Sequence, residues 1–149
     1  MNQWLRKGSL VVSICFLAAC SAVQDDLRPF TSDGCSYFPQ GTKDQRVAWA
    51  HCCLYHDIAY WRGGSYRERL AADLALQKCV TRVGAPRLAW LMMNGVRTGG
   101  TPYVSTPFRW GYGWSTMRGY RKLTEDELTY SDFLLTEAGV DPMYGSSHD

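Results

Sequence analysis

The sequence predicts an all-α protein centred on an antiparallel, cysteine-linked pair of helices, with additional helices C-terminal to it. Three observations predict this: three capping boxes, a short joint between two of the segments they open, and an even set of cysteines around those segments. A capping box sets a hydroxyl and a carboxylate or amide three residues apart, where each satisfies the other's orphan backbone donor. Thr42 with Gln45 opens a helix through Cys52 to Tyr60, stopped by Gly63-Gly64. Ser65 with Glu68 opens a second, through Leu70, Leu74 and Cys79 to about Val83. Only Trp61 to Ser65 join them, so the two fold back on each other. Pro86, near a helix start, leads the apolar run Leu88 to Val96, which Gly99-Gly100 closes. Thr124 with Glu127 opens the last helix, ending near Gly139.

Residues 1–19 stand apart from the fold. Arg6 and Lys7 make a basic start, Leu10 to Leu17 a short apolar run, and Leu17-Ala18-Ala19-Cys20 the close. The segment is too short and wrongly flanked for a spanning helix. Its ending resembles a bacterial lipobox, which implies a lipoprotein signal peptide, cleavage before Cys20 and acylation of the Cys20 sulfur. An ordinary secretory signal with a chance cysteine is the alternative. Several acyl chains, at about 0.8 kcal/mol per buried methylene, anchor a protein stably where one chain is marginal. Ser21 after that cysteine, by resemblance to other bacterial lipoproteins, implies an outer-membrane location in the cell envelope. Residues 20–32 read as a polar tether and residues 33–149 as a single domain, a length that fills one core but not two.

Removing Arg6 and Lys7 reduces the 16 basic residues to 14, equal to the 14 acidic ones. Their distribution is uneven. Arg62 to Lys122 holds 11 basic residues against Glu68 and Asp73, whereas everything from Leu123 onward is acidic or neutral apart from one histidine. The basic middle either faces anionic lipid headgroups or pairs with the acidic tail. No nucleic-acid module is present, and no nucleic-acid partner is expected.

With Cys15 in the signal and Cys20 lipidated, Cys35, Cys52, Cys53 and Cys79 remain, consistent with two bridges in an oxidising compartment. Cys52 and Cys53 diverge around a helix, so they bond to different partners. A zinc site of Cys52, Cys53, His56 and Cys79 is the competing reading, although tetrahedral sites usually use C-x2-C or H-x3-H spacing. Asp33 to Gly41, with glycines, a proline and no periodicity, reads as a shaped loop. Thr101 to Tyr120 carries six aromatic residues among glycines; it is either a cover over the helices or a lipid- or substrate-facing rim.

The densest chemistry lies in Cys52-Cys53-Leu54-Tyr55-His56-Asp57-Ile58-Ala59-Tyr60. On a helix, Cys52, His56 and Tyr60 share one face while Cys53 and Asp57 line the next stripe. If the helix pair is clipped by Cys52–Cys79, Asp73 comes level with His56. A carboxylate there accepts the Nδ1 proton and leaves Nε2 to take a proton from water. Tyr60 can donate its hydroxyl to the same carboxylate. Asp57 points towards the Cys35 loop if Cys35–Cys53 forms, and a carboxylate with loop carbonyls suits calcium.

This stretch resembles the signature of the secreted phospholipase A2 superfamily, Cys-Cys-x-x-His-Asp-x-Cys-Tyr. The family's second helix carries Cys-Asp and a cysteine six residues after the aspartate; here Ala72-Asp73 is followed by Cys79 at that interval. Ala59 and Ala72 occupy both positions of one family bridge, as if it were lost as a unit. The resemblance implies the bridges Cys52–Cys79 and Cys35–Cys53, His56 as the base, Asp73 as its orienter, Tyr60 as hydrogen-bond support and Asp57 as a calcium carboxylate. Carbonyls of Gly34, Ser36 and Phe38 would complete the ion's ligands, on a loop less glycine-rich than the family's and two residues further from the histidine. The joint is too short for the β-wing of animal enzymes, which implies a trimmed bacterial variant. The resemblance covers Asp33 to about Val80. It implies a calcium-dependent hydrolase of phospholipid or related acyl esters, active in lipid metabolism at a phospholipid membrane. The alternative is a non-catalytic lipid-binding or structural envelope lipoprotein.

Overall fold

The computed structural model describes residues 26–145; the signal segment, Cys20 and the first part of the expected tether lie outside the described residues. Four helices follow in order: α1 Ala50–Arg62, α2 Tyr66–Arg82, α3 Pro86–Gly99 and α4 Glu125–Glu137, then a 3-10 turn at Pro142–Gly145. Among the described residues there is no strand, only an isolated bridge between Leu27 and Trp114. The helical class is as expected.

Two capping boxes form. Ser65 and Thr124 each accept from the backbone of Glu68 and Glu127, whose carboxylates return the bond. The third does not start a helix. Thr42 Oγ1 does accept from Gln45 N at 3.0 Å, but Thr42 N also donates to Gln45 O, closing a turn. The chain stays folded in loops because Trp49 is buried and its indole donates to Pro39 O at 2.6 Å. Helix α1 therefore begins at Ala50, without a side-chain cap. Here tertiary burial overrides a local signal.

Helices α1 and α2 run antiparallel: Cys52 bonds to Cys79, His56 meets Asp73, and Tyr60 meets Arg69, so numbers rise on one as they fall on the other. Cys35–Cys53 ties the preceding loop to α1. With sequence separations of 27 and 18 between the linked cysteines, each bridge contributes about 3 kcal/mol in the chain-entropy picture. The two bridges are those expected, and they consume the three cysteines of the competing zinc reading, which therefore fails. One core cluster joins Trp49, Cys52 and Cys53 to Leu76 and Val80 of α2 and to Ala89 and Met92 of α3. A second, across α1, gathers Ile58, Trp61, Leu27, Trp114 and Leu135.

The aromatic segment is explained by the end of α1. The last carbonyls of a helix lack intrahelical donors. Gly111 N and Tyr112 N donate to Tyr60 O, Gly113 N to Trp61 O, and the Trp114 indole to Arg62 O at 2.7 Å. The Trp110 indole donates to Gly64 O at 2.8 Å. Trp110 and Trp114 are buried, so this part is a cover; Pro107, Phe108 and Tyr112 instead wall a cavity.

From Leu27 onward the expected tether is a strap. Leu27 is buried, Arg28 N donates to Gly113 O, and the Trp61 indole donates to Arg28 O at 2.9 Å. Polar composition concealed this, because the strap is held through its backbone. The acidic tail pairs with the basic middle: Glu127 accepts from Arg118 and Arg121, and Asp132 from Arg62.

Candidate active site

Asp73 sits midway along α2 with no exposed surface. Three hydrogen-bond partners and a second guanidinium converge on it. His56 Nε2 lies 2.9 Å and the Tyr60 hydroxyl 2.8 Å from Oδ1, while Arg97 Nη1 lies 2.8 Å and Arg69 Nε 3.9 Å from Oδ2. Burial works against its charge, yet the hydrogen bonds from His56, Arg97 and Tyr60 hold the carboxyl below the usual carboxylate range.

The nitrogen facing Asp73 is Nε2, not the Nδ1 expected. Asp73 is short and buried on the neighbouring helix, so only the far end of the imidazole reaches it. An ionised carboxylate only accepts, so Nε2 carries a proton, and in the neutral ring the lone pair is then on Nδ1. Nδ1 has no hydrogen-bond partner among the described residues, and His56, 8% exposed, lines a cavity of about 480 Å3. Tyr60 backs the ring at 4.2 Å between centroids, and Trp110 meets Tyr60 edge-on at 5.0 Å. The Tyr60 hydroxyl accepts from Arg69 Nε at 3.0 Å, so it links the carboxylate to a buried arginine. Burial, then the Asp73 charge, pushes its ionisation up.

Asp57 lines the same cavity from the next stripe of α1. Its Oδ2 accepts from the Ser32 hydroxyl at 2.5 Å, and Ser32 in turn accepts from Gly34 N at 3.1 Å. Burial pushes the Asp57 carboxyl up to about 7, the Ser32 bond acting against this and the nearby Asp33 charge adding to it. Gly34, Ser36 and Phe38 share this wall. Gly34 and Ser36 have φ of 73° and 51°, and the Ser36 hydroxyl donates to Asp33 Oδ1 at 2.9 Å. The left-handed region is uncommon for a serine, so the loop is held in shape by its own side chains.

No family model matches the chain, and neither a curated protein nor a solved structure is similar to it.

The structure brings His56, Asp73 and Tyr60 into one network, and Asp57, Gly34, Ser36 and Phe38 into the wall beside it. Several members of the site were not singled out from sequence. Arg97 and Arg69 were counted only as part of the basic middle, though Arg69 follows the i, i+4 rule with Asp73. Ser32 fell in the tether. Met92 and Val96 come from α3, whose apolar run carried no sign of a cavity. His51 also stands 3.5 Å from the sulfurs of both Cys52 and Cys79. Those sulfurs are bonded to each other, so the trio is not a thiolate metal site.

Proposed function

We propose that this chain is a phospholipase A2-like hydrolase that cleaves acyl esters of phospholipids or related lipids at a bacterial envelope membrane. The carrying observation is the buried His56 ring, tied through Nε2 to Asp73, with an unpartnered Nδ1, in the wall of a cavity lined mostly by apolar residues. That is the layout of a general base held by an orienting carboxylate. Nδ1 takes a proton from water as the water oxygen bonds to the ester carbonyl carbon. Asp73 stabilises the imidazolium that forms. Collapse of the tetrahedral species breaks the bond to the alkoxy oxygen, which recovers the proton from Nδ1. Tyr60 and the two arginines hold the carboxylate in register.

A divalent cation is implied by the resemblance, and the donors fit one. Asp57 and Asp33 bring two carboxylates together with serine hydroxyls and loop backbone, an oxygen-only set suited to calcium. The carboxyl of Asp57, pushed upward by burial and by Asp33, is a group that a cation would relieve. Asp57 and Asp33, with carbonyls of Gly34, Ser36 or Phe38, would hold it. Bound there, calcium supplies positive charge for a developing oxyanion. Acylation at Cys20 would keep the domain on its substrate membrane.

A second reading is a lipid-binding or structural lipoprotein without turnover. It is favoured by the pairing of Asp73 with Arg97 and Arg69, which a purely structural buried carboxylate would also need. One experiment separates the two. The purified chain is mixed with phospholipid vesicles and calcium, and free fatty acid is measured. Release abolished by a chelator and by His56→Ala supports the hydrolase; vesicle binding without release refutes it.

A further inference from the structure

The two disulfides differ in what surrounds their sulfurs. Cys35 and Cys53 touch the cavity beside His56, but both are almost fully buried, 5% and 3% exposed. In the other bridge Cys52 is buried whereas Cys79 is half-buried, and the pair lines a second cavity of about 500 Å3 walled by α1 and α2. His51, exposed on the first turn of α1, stands beside this bridge with Nε2 3.5 Å from each sulfur. Tyr55, one turn further on, meets the His51 ring edge-on at 6.0 Å. Among the described residues no imidazole contacts the sulfurs of Cys35–Cys53.

Thiol–disulfide exchange needs a sulfur that a thiolate can reach and a leaving thiolate that its surroundings stabilise. Hydrogen-bond donors and cationic side chains beside a sulfur meet the second need. Here Cys79 offers the reachable sulfur and His51 the donor. Lys78 and Arg82, one turn apart on α2, line the same cavity. No aspartate or glutamate is among the described residues that line it. The bridge lies one turn before His56 on α1 and six residues after Asp73 on α2. It is the covalent clip between the two helices that carry the dyad.

We propose that Cys52–Cys79 is a thiol–disulfide exchange site for a dithiol reductant, with His51 placed to assist the sulfur that leaves. One thiolate of the dithiol attacks Cys79 Sγ, the Cys52–Cys79 bond breaks, and its electron pair goes to Cys52 Sγ. The Nε2–H of His51 donates to that thiolate, which then takes up a proton from solvent. The second thiol of the reductant loses its proton and attacks the reductant's own sulfur in the mixed disulfide. Cys79 leaves as a thiolate and is protonated in turn. Two electrons and two protons thus pass from the dithiol, which ends as a disulfide, to the bridge, which ends as two thiols. The exchange releases the clip between the helices of His56 and Asp73 and leaves Cys35–Cys53 closed.

The test exposes the folded chain, without denaturant, to dithiothreitol or to reduced thioredoxin. Samples are quenched with iodoacetamide at intervals, and label at each cysteine is read by peptide mass spectrometry. Cys52 and Cys79 should take up label about tenfold or more faster than Cys35 and Cys53. His51→Leu should cut that ratio by about threefold or more, because the leaving sulfur loses its donor. Both rates are read in one molecule, so a change in overall stability that moves both cancels in their ratio. If His51→Leu fails to fold, Lys78→Glu takes its place, since a carboxylate beside the leaving thiolate should lower the ratio too. Faster opening by thioredoxin than by dithiothreitol at equal thiol concentration assigns the site to a protein dithiol, and the reverse to a small one; either supports exchange. Equal rates at the two bridges, or a ratio that the variant leaves unchanged, would overturn the proposal.

Discussion

Arg97 on α3 reaches back to Asp73 on α2, Nη1 to Oδ2 at 2.8 Å, on the oxygen opposite the one that holds His56. The same guanidinium donates to the Tyr66 hydroxyl at 3.1 Å and lies over the Tyr66 ring. Arg69 adds donations to Val96 O and Arg97 O, the last turn of α3. The carboxylate that orients the imidazole is thus also the anchor that docks the cavity-lining helix.

This makes the Arg97–Asp73 pair cooperative in stability. Arg97→Met leaves a fully buried carboxylate short of a donor, and should cost about 2–4 kcal/mol in urea denaturation. In an Asp73→Asn background the same change should cost under about 1 kcal/mol, because no charge remains to be compensated. Additive losses in the double variant would mean that Arg97 acts through packing alone.

Acid should reveal the same carboxylate. The folded-state ionisation of Asp73 lies below its unfolded value, through the hydrogen bonds of His56, Arg97 and Tyr60. Its contribution is therefore complete above the unfolded carboxylate range near pH 4 and is lost as pH falls through the lower folded value. Wild type should lose melting temperature steeply below about pH 4, and Asp73→Asn, starting lower, should show a flatter acid limb. Parallel limbs would remove Asp73 from the acid transition.

Asp57 has the opposite sign. Its carboxyl is pushed up to about 7, so ionising it costs the fold increasing stability as pH rises from the unfolded value near 4 through 7. Without calcium, Asp57→Asn should melt higher than wild type at about pH 8, by a few degrees. Added calcium should raise the wild-type melting temperature by the usual linkage and leave Asp57→Asn unmoved. A calcium shift of equal size in both proteins would place the ion elsewhere.

How far the sequence reveals this molecule follows from the range of each interaction. The boxes at Ser65 and Thr124 and the Pro86 start are local, and α2, α3 and α4 begin where they say. The box at Thr42 is equally local but loses to the burial of Trp49, which depends on residues far along the chain. The meeting of His56 with Asp73 was legible because helical spacing and a cysteine clip set the register. Which imidazole nitrogen faces Asp73 was not, since it depends on side-chain reach across the helix gap. Arg97 was hidden because its partner lies on another helix. Residues 101–120 have no periodicity to read, as their order comes from donating to the carbonyls that end α1.

Gly100 offers a test of how tightly the dyad is supported from behind. It caps α3 at φ −89° and ψ 23°, a backbone conformation open to alanine, so any effect of substitution there is steric. A Cβ would stand 2.4 Å from Tyr60 Cε1 and 2.8 Å from its hydroxyl oxygen. Tyr60 has little room to retreat, because Trp110 blocks it edge-on and Arg69 and Asp73 hold its hydroxyl. Gly100→Ala should therefore cost about 1–3 kcal/mol by overpacking. On the hydrolytic reading it should also lower kcat by about tenfold, since a fraction of an ångström at the base is enough to misplace it. Gly139→Ala is the comparator: φ is 71° with nothing within 4 Å, so only backbone strain of about 1 kcal/mol is incurred, with turnover unchanged. Equal effects of the two on stability and turnover would mean that Tyr60 yields freely and that its contact with Asp73 does not depend on Gly100.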